Sequence, residues 1–328
     1  METLLLSQQD VQASLSIPEV IRAVEAGYRA FHAGHVQQPD IVSLEIPAHS
    51  GETDIKSCYN PANETISVKI ASGFYENSRS HHLPNMIGTV LLLDGRTGAP
   101  VCIMDGGLIT GIRTGAAGAI SCRLLARKDA RTVAMIGGGG QARMQIRCLA
   151  ATMDIRTVQV FSPYPDELPR YREDIERETG LTVVLCDTPE QAMRGADIAI
   201  STTPSTHALV RHSLVEPGTH IVAVGADMAG KNEWDPEVFR GAKVVTDSTA
   251  QCVARGETRN AILAGVITRE DIYAEIGGLL SGEKPLREND REITIFDTTG
   301  MGIQDNVTAV RVYELAREKG LGQSFRFL

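Results

Sequence analysis

Short apolar runs alternate with amphipathic stretches along the chain, and their arrangement changes character near residue 130. Ile17–His32 carries apolar residues at helical spacing with Pro18 in its first turn, which predicts an amphipathic helix. Strand-like segments follow at Ile41–Ile46, Asp54–Tyr59, Ser67–Ala71, Thr89–Leu93 and Val101–Met104, with the turn Asp94-Gly-Arg-Thr-Gly98 after the fourth. Leu108–Ala126 reads as a long helix, and its Gly115–Ala119 stretch is small enough to let another backbone approach closely.

Beyond that point the pattern becomes regular. Val133–Ile136 stops at four glycines, and Gln141–Thr152 continues with helical character. Further strands are predicted at Thr157–Phe161, Thr182–Cys186, Asp197–Thr202, His220–Val224 and Lys243–Thr246, with helices at Asp166–Thr179 and Pro189–Arg194. Strands alternating with helices at this spacing imply an α/β fold with a doubly wound parallel sheet, a Rossmann domain. The four glycines allow two registers, and Gly137-x-Gly139-x-x-Ala142 is the one that leaves a small residue at the third position. There Gly137 makes the turn, Gly139 lets the backbone approach a pyrophosphate, and the helix start offers free N–H groups to it. At the far end Ile303, Val307, Val310 and Tyr313 fall on one helix face, closed by Lys319-Gly320. This last helix is predicted to return to the first domain. The expected division is a dinucleotide-binding domain over residues 124–301 and a smaller α+β domain built from both chain ends, residues 1–123 and 302–328.

Composition narrows the function classes. A chain of 328 residues suggests two domains, and 42% hydrophobic with 22% charged residues is ordinary for a globular protein. A net charge of −9 argues against a nucleic-acid footprint. No apolar stretch nears the roughly 18 residues of a membrane span. The start, Met1-Glu-Thr-Leu-Leu-Leu-Ser-Gln8, lacks the basic lead and long apolar run of a signal peptide. The 6 cysteines are scattered without a C-x-x-C pair, as expected of buried thiols in a reducing cytoplasm. The His81-His82 doublet reads as loop, and no metal site is expected.

Candidate chemistry falls in four clusters, expected in a cleft outside the carboxyl ends of the strands. Lys69 interrupts an otherwise apolar strand, which is costly unless it meets an anion; an edge-strand lysine facing solvent is the alternative. Arg113 and Thr114 sit on the small-residue helix, where an arginine suggests a fork aimed at a carboxylate or phosphate. Asp227 follows a strand, beside the expected cofactor, or else serves as a helix cap. Phe296-Asp-Thr-Thr-Gly-Met-Gly-Ile-Gln-Asp305 reads as a strand, glycine turn and helix start able to touch the cofactor a second time.

In this order, Val68-Lys69, Arg113-Thr114-Gly-Ala, Ile136-Gly-Gly-Gly-Gly-Gln141-Ala142, Gly225-Ala-Asp227 with Gly230-Lys231, and Phe296-Asp-Thr-Thr-Gly300 resemble the ornithine cyclodeaminase/μ-crystallin family, from Ile17 to about Gly320. The resemblance implies a dinucleotide domain with a smaller substrate-binding domain that also forms a homodimer. It also implies action on small α-amino or α-imino acids with a nicotinamide cofactor. Lys69 and Arg113 would then hold the substrate's α-carboxylate, and Asp227 would be the acid/base. Gly137, Gly139, Gly140, Gln141, Ala142, Ser162, Thr203, Val224, Gly225, Ala226, Lys231 and Thr299 would lie along the cofactor, with Asn85, Arg113 and Thr114 nearby and Gly300 against the substrate. Hydride addition to C=N is easiest when the imine is protonated, which suits a positioned carboxyl group.

Two departures bear on the substrate and cofactor. Family members that take ornithine or alanine carry an arginine shortly after an early proline, whereas here Asp40 follows Pro39 and Lys56 is the substitute on a neighbouring strand. Three cations, Lys56, Lys69 and Arg113, suit a dicarboxylate such as iminosuccinate. After the second Rossmann strand the chain reads Phe161-Ser162-Pro163-Tyr164, with no acidic residue for a ribose and no arginine before Arg170 for a phosphate. This favours NAD and leaves NADP open. The expected function is reduction of an α-imino acid or the reverse, with cyclodeamination on a recycled cofactor and non-catalytic ligand binding as alternatives.

Overall fold

The computed structural model describes residues 2–74 and 76–327, and of Ser78 and Arg79 the backbone alone. Its first elements are β1 (Glu2–Leu6), α1 (Gln8–Ser14), α2 (Ile17–His32), β2 (Val42–Ile46), β3 (Gly51–Asn60), β4 (Thr65–Phe74), α3 (Asn77–Ser80), β5 (Met86–Asp94), β6 (Pro100–Asp105) and α4 (Gly106–Leu125). Then come β7 (Thr132–Ile136), α5 (Gly140–Ala150), β8 (Thr157–Phe161), α6 (Leu168–Thr179), β9 (Thr182–Leu185), α7 (Pro189–Met193), β10 (Ile198–Ser201), β11 (His220–Ala223) and β12 (Lys243–Thr246). The chain ends with α8 (Thr249–Arg255), α9 (Glu257–Leu263), β13 (Ala274–Glu275), α10 (Ile276–Leu280), β14 (Thr294–Asp297), α11 (Gly302–Glu318) and β15 (Gln323–Arg326). Contacts divide the chain into residues 1–113 with 301–328, and residues 114–300. The first division falls inside α4, between Arg113 and Thr114, rather than near its C-terminal end.

The unit made of both chain ends is a seven-stranded sheet in the order β15-β1-β6-β5-β4-β3-β2. Only β1 and β6 pair in parallel. Helices α1, α2 and α11 pack together, with α11 also on β3, β4 and β5. Gly27 lies at the α2–α11 contact, where a Cβ would come within 3.2 Å of the Ile303 side chain, a tight fit. The apolar core joins Val11, Val90, Leu92, Met104, Ile109, Ala309 and Val312. One expectation shifts. The wholly buried residues of α11 include Gln304, Asp305, Asn306 and Thr308 with Ala309, Val312 and Ala316, whereas Val307, Val310 and Tyr313 are only half-buried. Polar side chains have taken core positions, and the reason lies in what they bind.

The other unit is an eight-stranded, all-parallel sheet in the order β13-β12-β14-β11-β10-β7-β8-β9. Strand order reverses beside β7, which creates the topological switch point where such sheets bind ligands. Strands β7, β10, β11, β12 and β14 are almost wholly buried, as expected of a sheet covered on both faces. The small residues of α4 do what the sequence suggests: a Cβ on Gly115 would lie 2.6 Å from the Met144 carbonyl of α5, and one on Gly118 would collide with Gln145. Among the described residues no helix is long and apolar enough to cross a membrane. All six cysteines are buried and free.

Candidate active site

In the first unit, Lys56 of β3 and Lys69 of β4 are direct partners in the antiparallel ladder, so both side chains leave the same face of the sheet. Strand β4 lies between β3 and β5, which removes the edge-strand reading of Lys69. Like charges placed opposite one another are unfavourable unless something answers them. The answer is Asp305, in the first turn of α11, where the helix dipole favours an anion. Lys69 Nζ donates to Asp305 Oδ1 at 2.8 Å, and Arg113 Nε lies 3.1 Å from the same oxygen. The Arg113 contact is one of charge, because its N–H is not directed at the oxygen and has no hydrogen-bond acceptor among the described residues. Asp305 Oδ2 likewise finds no donor there.

Burial sets the electrostatics. Lys69 is 1% exposed, and burial, then Arg113 and Lys56, pull its ammonium down to about 7 against the opposing pull of Asp305. Burial alone would raise the Asp305 carboxyl, but Lys69, Arg113 and Lys56 hold it below its usual range. The neighbours of Asp305 complete a polar floor. Gln304 donates to the Tyr28 hydroxyl at 2.9 Å, while Asn306 accepts from Asn60 and donates to Thr65. Lys56, Lys69 and Arg113 are thus brought together. Sequence reasoning passed over Asp305; its signal was three consecutive polar residues, 304–306, opening a helix that the apolar pattern buries. Asn85 is in the same unit, where its carbonyl accepts the Phe74 N–H just ahead of β5.

In the second unit the glycine turn adopts the expected register. Gly137 has φ +116°, open to glycine but strained for other residues, and a Cβ there would lie 2.7 Å from Thr202 Oγ1. Gly138 packs on Leu168, whereas a Cβ on Gly139 or Gly140 would enter open space. Gly139 caps α5 without a side-chain hydrogen bond, Ala142 is buried against the sheet, and Gln141 Nε2 and Thr202 Oγ1 are buried with no partner among the described residues. An uncapped helix start behind a glycine cradle, with orphaned polar atoms beside it, fits a dinucleotide pyrophosphate.

The remaining predicted residues of this unit are distributed over strand ends and loops. Ser162 follows β8 and its hydroxyl accepts the Tyr164 N–H at 3.1 Å. Thr203 follows β10; Val224, Gly225 and Ala226 follow β11. The Thr114 carbonyl accepts from Gln145, and the Thr299 hydroxyl donates to Gln251. Gly300, at φ +80°, donates its N–H to Asp247 at 2.8 Å. Asp227 lies beyond the carboxyl end of β11 with its side chain 41% exposed, and Lys231 Nζ donates to it at 2.8 Å, so two predicted residues meet each other. Sequence reasoning passed over Glu233 and Glu257, and gave Asp297 no role of its own within the Phe296–Gly300 motif; all three are buried carboxyls. Burial pushes them up to about 7, about 8 and about 7 respectively.

Comparison with known proteins agrees across the full length. A family model described as "Ornithine cyclodeaminase/mu-crystallin family" matches residues 1–320. Iminosuccinate reductase of Paracoccus denitrificans is 34% identical over 320 residues, 98% of either chain. Delta(1)-pyrroline-2-carboxylate reductase of Thermococcus litoralis, solved with NADH and L-proline, superposes with a TM-score of 0.95 at 33% identity, over 98% of this chain and 99% of that one. An archaeal alanine dehydrogenase dimer with bound NAD gives 0.93 at 36% identity, over 100% of each chain.

Proposed function

Because the chain belongs to the ornithine cyclodeaminase/mu-crystallin family, we propose that it is an NAD-dependent oxidoreductase reducing a small α-imino acid to the amino acid, or running the reverse. The observation that carries this reading is the buried cluster of Lys56, Lys69, Arg113 and Asp305, in which the Arg113 Nε–H has no acceptor among the described residues. An arginine cannot shed its proton when buried, so its free donor calls for an anion, and a carboxylate matches the fork. Lys56, added on the strand beside Lys69, supports a substrate with a second carboxylate, of the iminosuccinate type.

Bound at the Gly137–Gly140 cradle, the cofactor supplies the hydride. Gly139, Gly140, Gln141 and Ser162 would hold its phosphates and ribose, and Thr203, Gly225 and Thr299 the rest. Lys69 and Arg113 fix the acid so that its carbon is presented in one orientation, which is a large part of the rate. Asp227 is the residue we assign to proton transfer, keeping the imine nitrogen protonated during reduction.

Absorbance assays of 2-oxo acids with ammonia, against NADH and NADPH, test the reading. Oxaloacetate with ammonia and NADH should give the largest kcat/KM, and Asp227→Asn should abolish turnover while keeping cofactor affinity. No net NADH oxidation with any imine would overturn it.

We also propose that a second copy covers the sheet face opposite α11. Cross-strand neighbours Val42, Ile55 and Ile70, then Val68, Leu91 and Ile103, make that face apolar, and Val42 and Ile70 are 55% and 43% exposed. Exposed apolar side chains grouped on one face in this way mark a surface suited to a protein partner. Sedimentation equilibrium at micromolar concentration should give a dimer, and a monomer would refute the assignment.

A further inference from the structure

The chemistry proposed above depends on two loops that leave neighbouring parallel strands, and one buried side chain bonds to both. Thr203 follows β10 and Gly225 follows β11. Between them lies Glu233, with no exposed surface. One of its oxygens accepts the Thr203 N–H at 2.5 Å. The other accepts the Gly225 N–H at 2.9 Å and the Ser201 hydroxyl at 2.7 Å, and that hydroxyl in turn accepts from Trp234 Nε1 at 2.7 Å. The packing leaves no slack: a Cβ on Gly225 would lie 2.2 Å from the Thr203 carbonyl and 2.5 Å from Glu233 Oε2.

We infer that Glu233 is a positioning residue, whose carboxylate fixes the Thr203 and Gly225 backbones in the spacing that the nicotinamide half of the cofactor requires. Two amides and one hydroxyl, all donors, converge on one carboxylate, and an ionised carboxylate can accept from all of them at once. Glu233 is itself anchored from behind. Its own N–H is accepted by Glu257, whose carboxyl also accepts from Asn260, and the Glu257 N–H is accepted by Asp297 of β14. The ends of β10, β11 and β14, already paired in the sheet ladder, are thereby tied a second time through side-chain carboxyls. An amide in place of the carboxylate must turn its NH2 toward at least one of those donors, pushing apart the two loops it joins.

This inference rests on the nicotinamide reading, and the experiment separates the two. NADH affinity is measured by fluorescence titration of the full-length protein, wild type against Glu233→Gln, alongside KM and kcat and the thermal transition. Wild type that fails to bind NADH refutes the functional reading. If wild type binds, Glu233→Gln should raise Kd and KM for NADH by 10-fold or more, with the substrate KM at saturating NADH within twofold of wild type. A lower kcat with unchanged NADH affinity would mean only a smaller active fraction and would overturn the positioning role. Should Glu233→Gln not fold, Ser201→Ala decides: it removes one donor and leaves both amides, and should weaken NADH about threefold. Unchanged affinity in that variant overturns the inference.

Discussion

Each unit buries a cluster of like charges, and the two clusters resolve the same physical problem in opposite ways. In the parallel-sheet unit Glu233, Glu257 and Asp297 lie close to one another, and neutral donors satisfy them: backbone N–H groups, a serine and an asparagine. A carboxyl can also give up its charge by keeping a proton, and burial pushes these three to about 7 to 8, where that choice is open at neutral pH. In the chain-end unit the buried charges are cationic and one is an arginine, which stays charged whatever its surroundings. Lys69 can discharge and Asp305 is present, yet the Arg113 Nε–H has no acceptor among the described residues. A cluster that can neutralise itself is a scaffold. One that contains a permanent charge and an orphaned donor fits the substrate-binding role proposed for it.

Asp305 is where that contrast is broken most severely. It is the group that pulls the Lys69 ammonium upward, against burial, Arg113 and Lys56. In Asp305→Asn the Lys69 proton is held more weakly, so the ammonium is lost at lower pH. If the substrate needs the ammonium, kcat/KM falls on the order of 100-fold at pH 7.5, about 2.7 kcal/mol, and recovers in part toward pH 6. The alkaline limb of the kcat/KM profile should therefore move to lower pH. A uniform loss with the limb unmoved would show that Asp305 only shapes the pocket. Stability follows the same sign. Below about 7 the buried ammonium is charged and costs folding free energy; as pH rises from there toward the ordinary lysine value, the native state has shed a proton that the unfolded chain retains, and stability increases.

How much of this was legible in the sequence depends on how local the physics is. Strand Thr157–Phe161 and helix Ile17–His32 match the apolar pattern residue for residue, because one buried face dictates each. The glycine turn was legible for the same reason: the backbone at Gly137 leaves little choice. Lys69 and Arg113 stood out as charges in apolar surroundings. Asp305 did not, since a carboxylate in a first helical turn has a local explanation, and its ion pair with Lys69 spans 236 positions. Glu233 offered even less, one acid among loop residues whose partners lie on two other strands. Elements such as β1, α8 and β15 are short and have no period of their own, so only tertiary pairing defines them.

The carboxyl cluster offers a milder test. Burial first, then Glu233, push the Glu257 carboxyl up to about 8. Between about 4.5 and 8 the native chain keeps a proton that the unfolded chain has released, so the native state binds more protons and stability falls as pH rises through that window. Replacing Glu257 with glutamine removes the ionisable group while preserving its carbonyl acceptor toward the Glu233 N–H. The loss of stability between pH 5 and 8 should then shrink by roughly 1–2 kcal/mol, a few degrees in Tm. NADH affinity should stay within about threefold of wild type, because Glu233 keeps its own three donors. If Glu257→Gln shows the full wild-type pH slope, the cluster does not neutralise itself, and its charge must be met by a cation instead. The two units would then follow one rule, and the arginine-containing cluster would no longer differ from the carboxyl cluster in calling for an external ion.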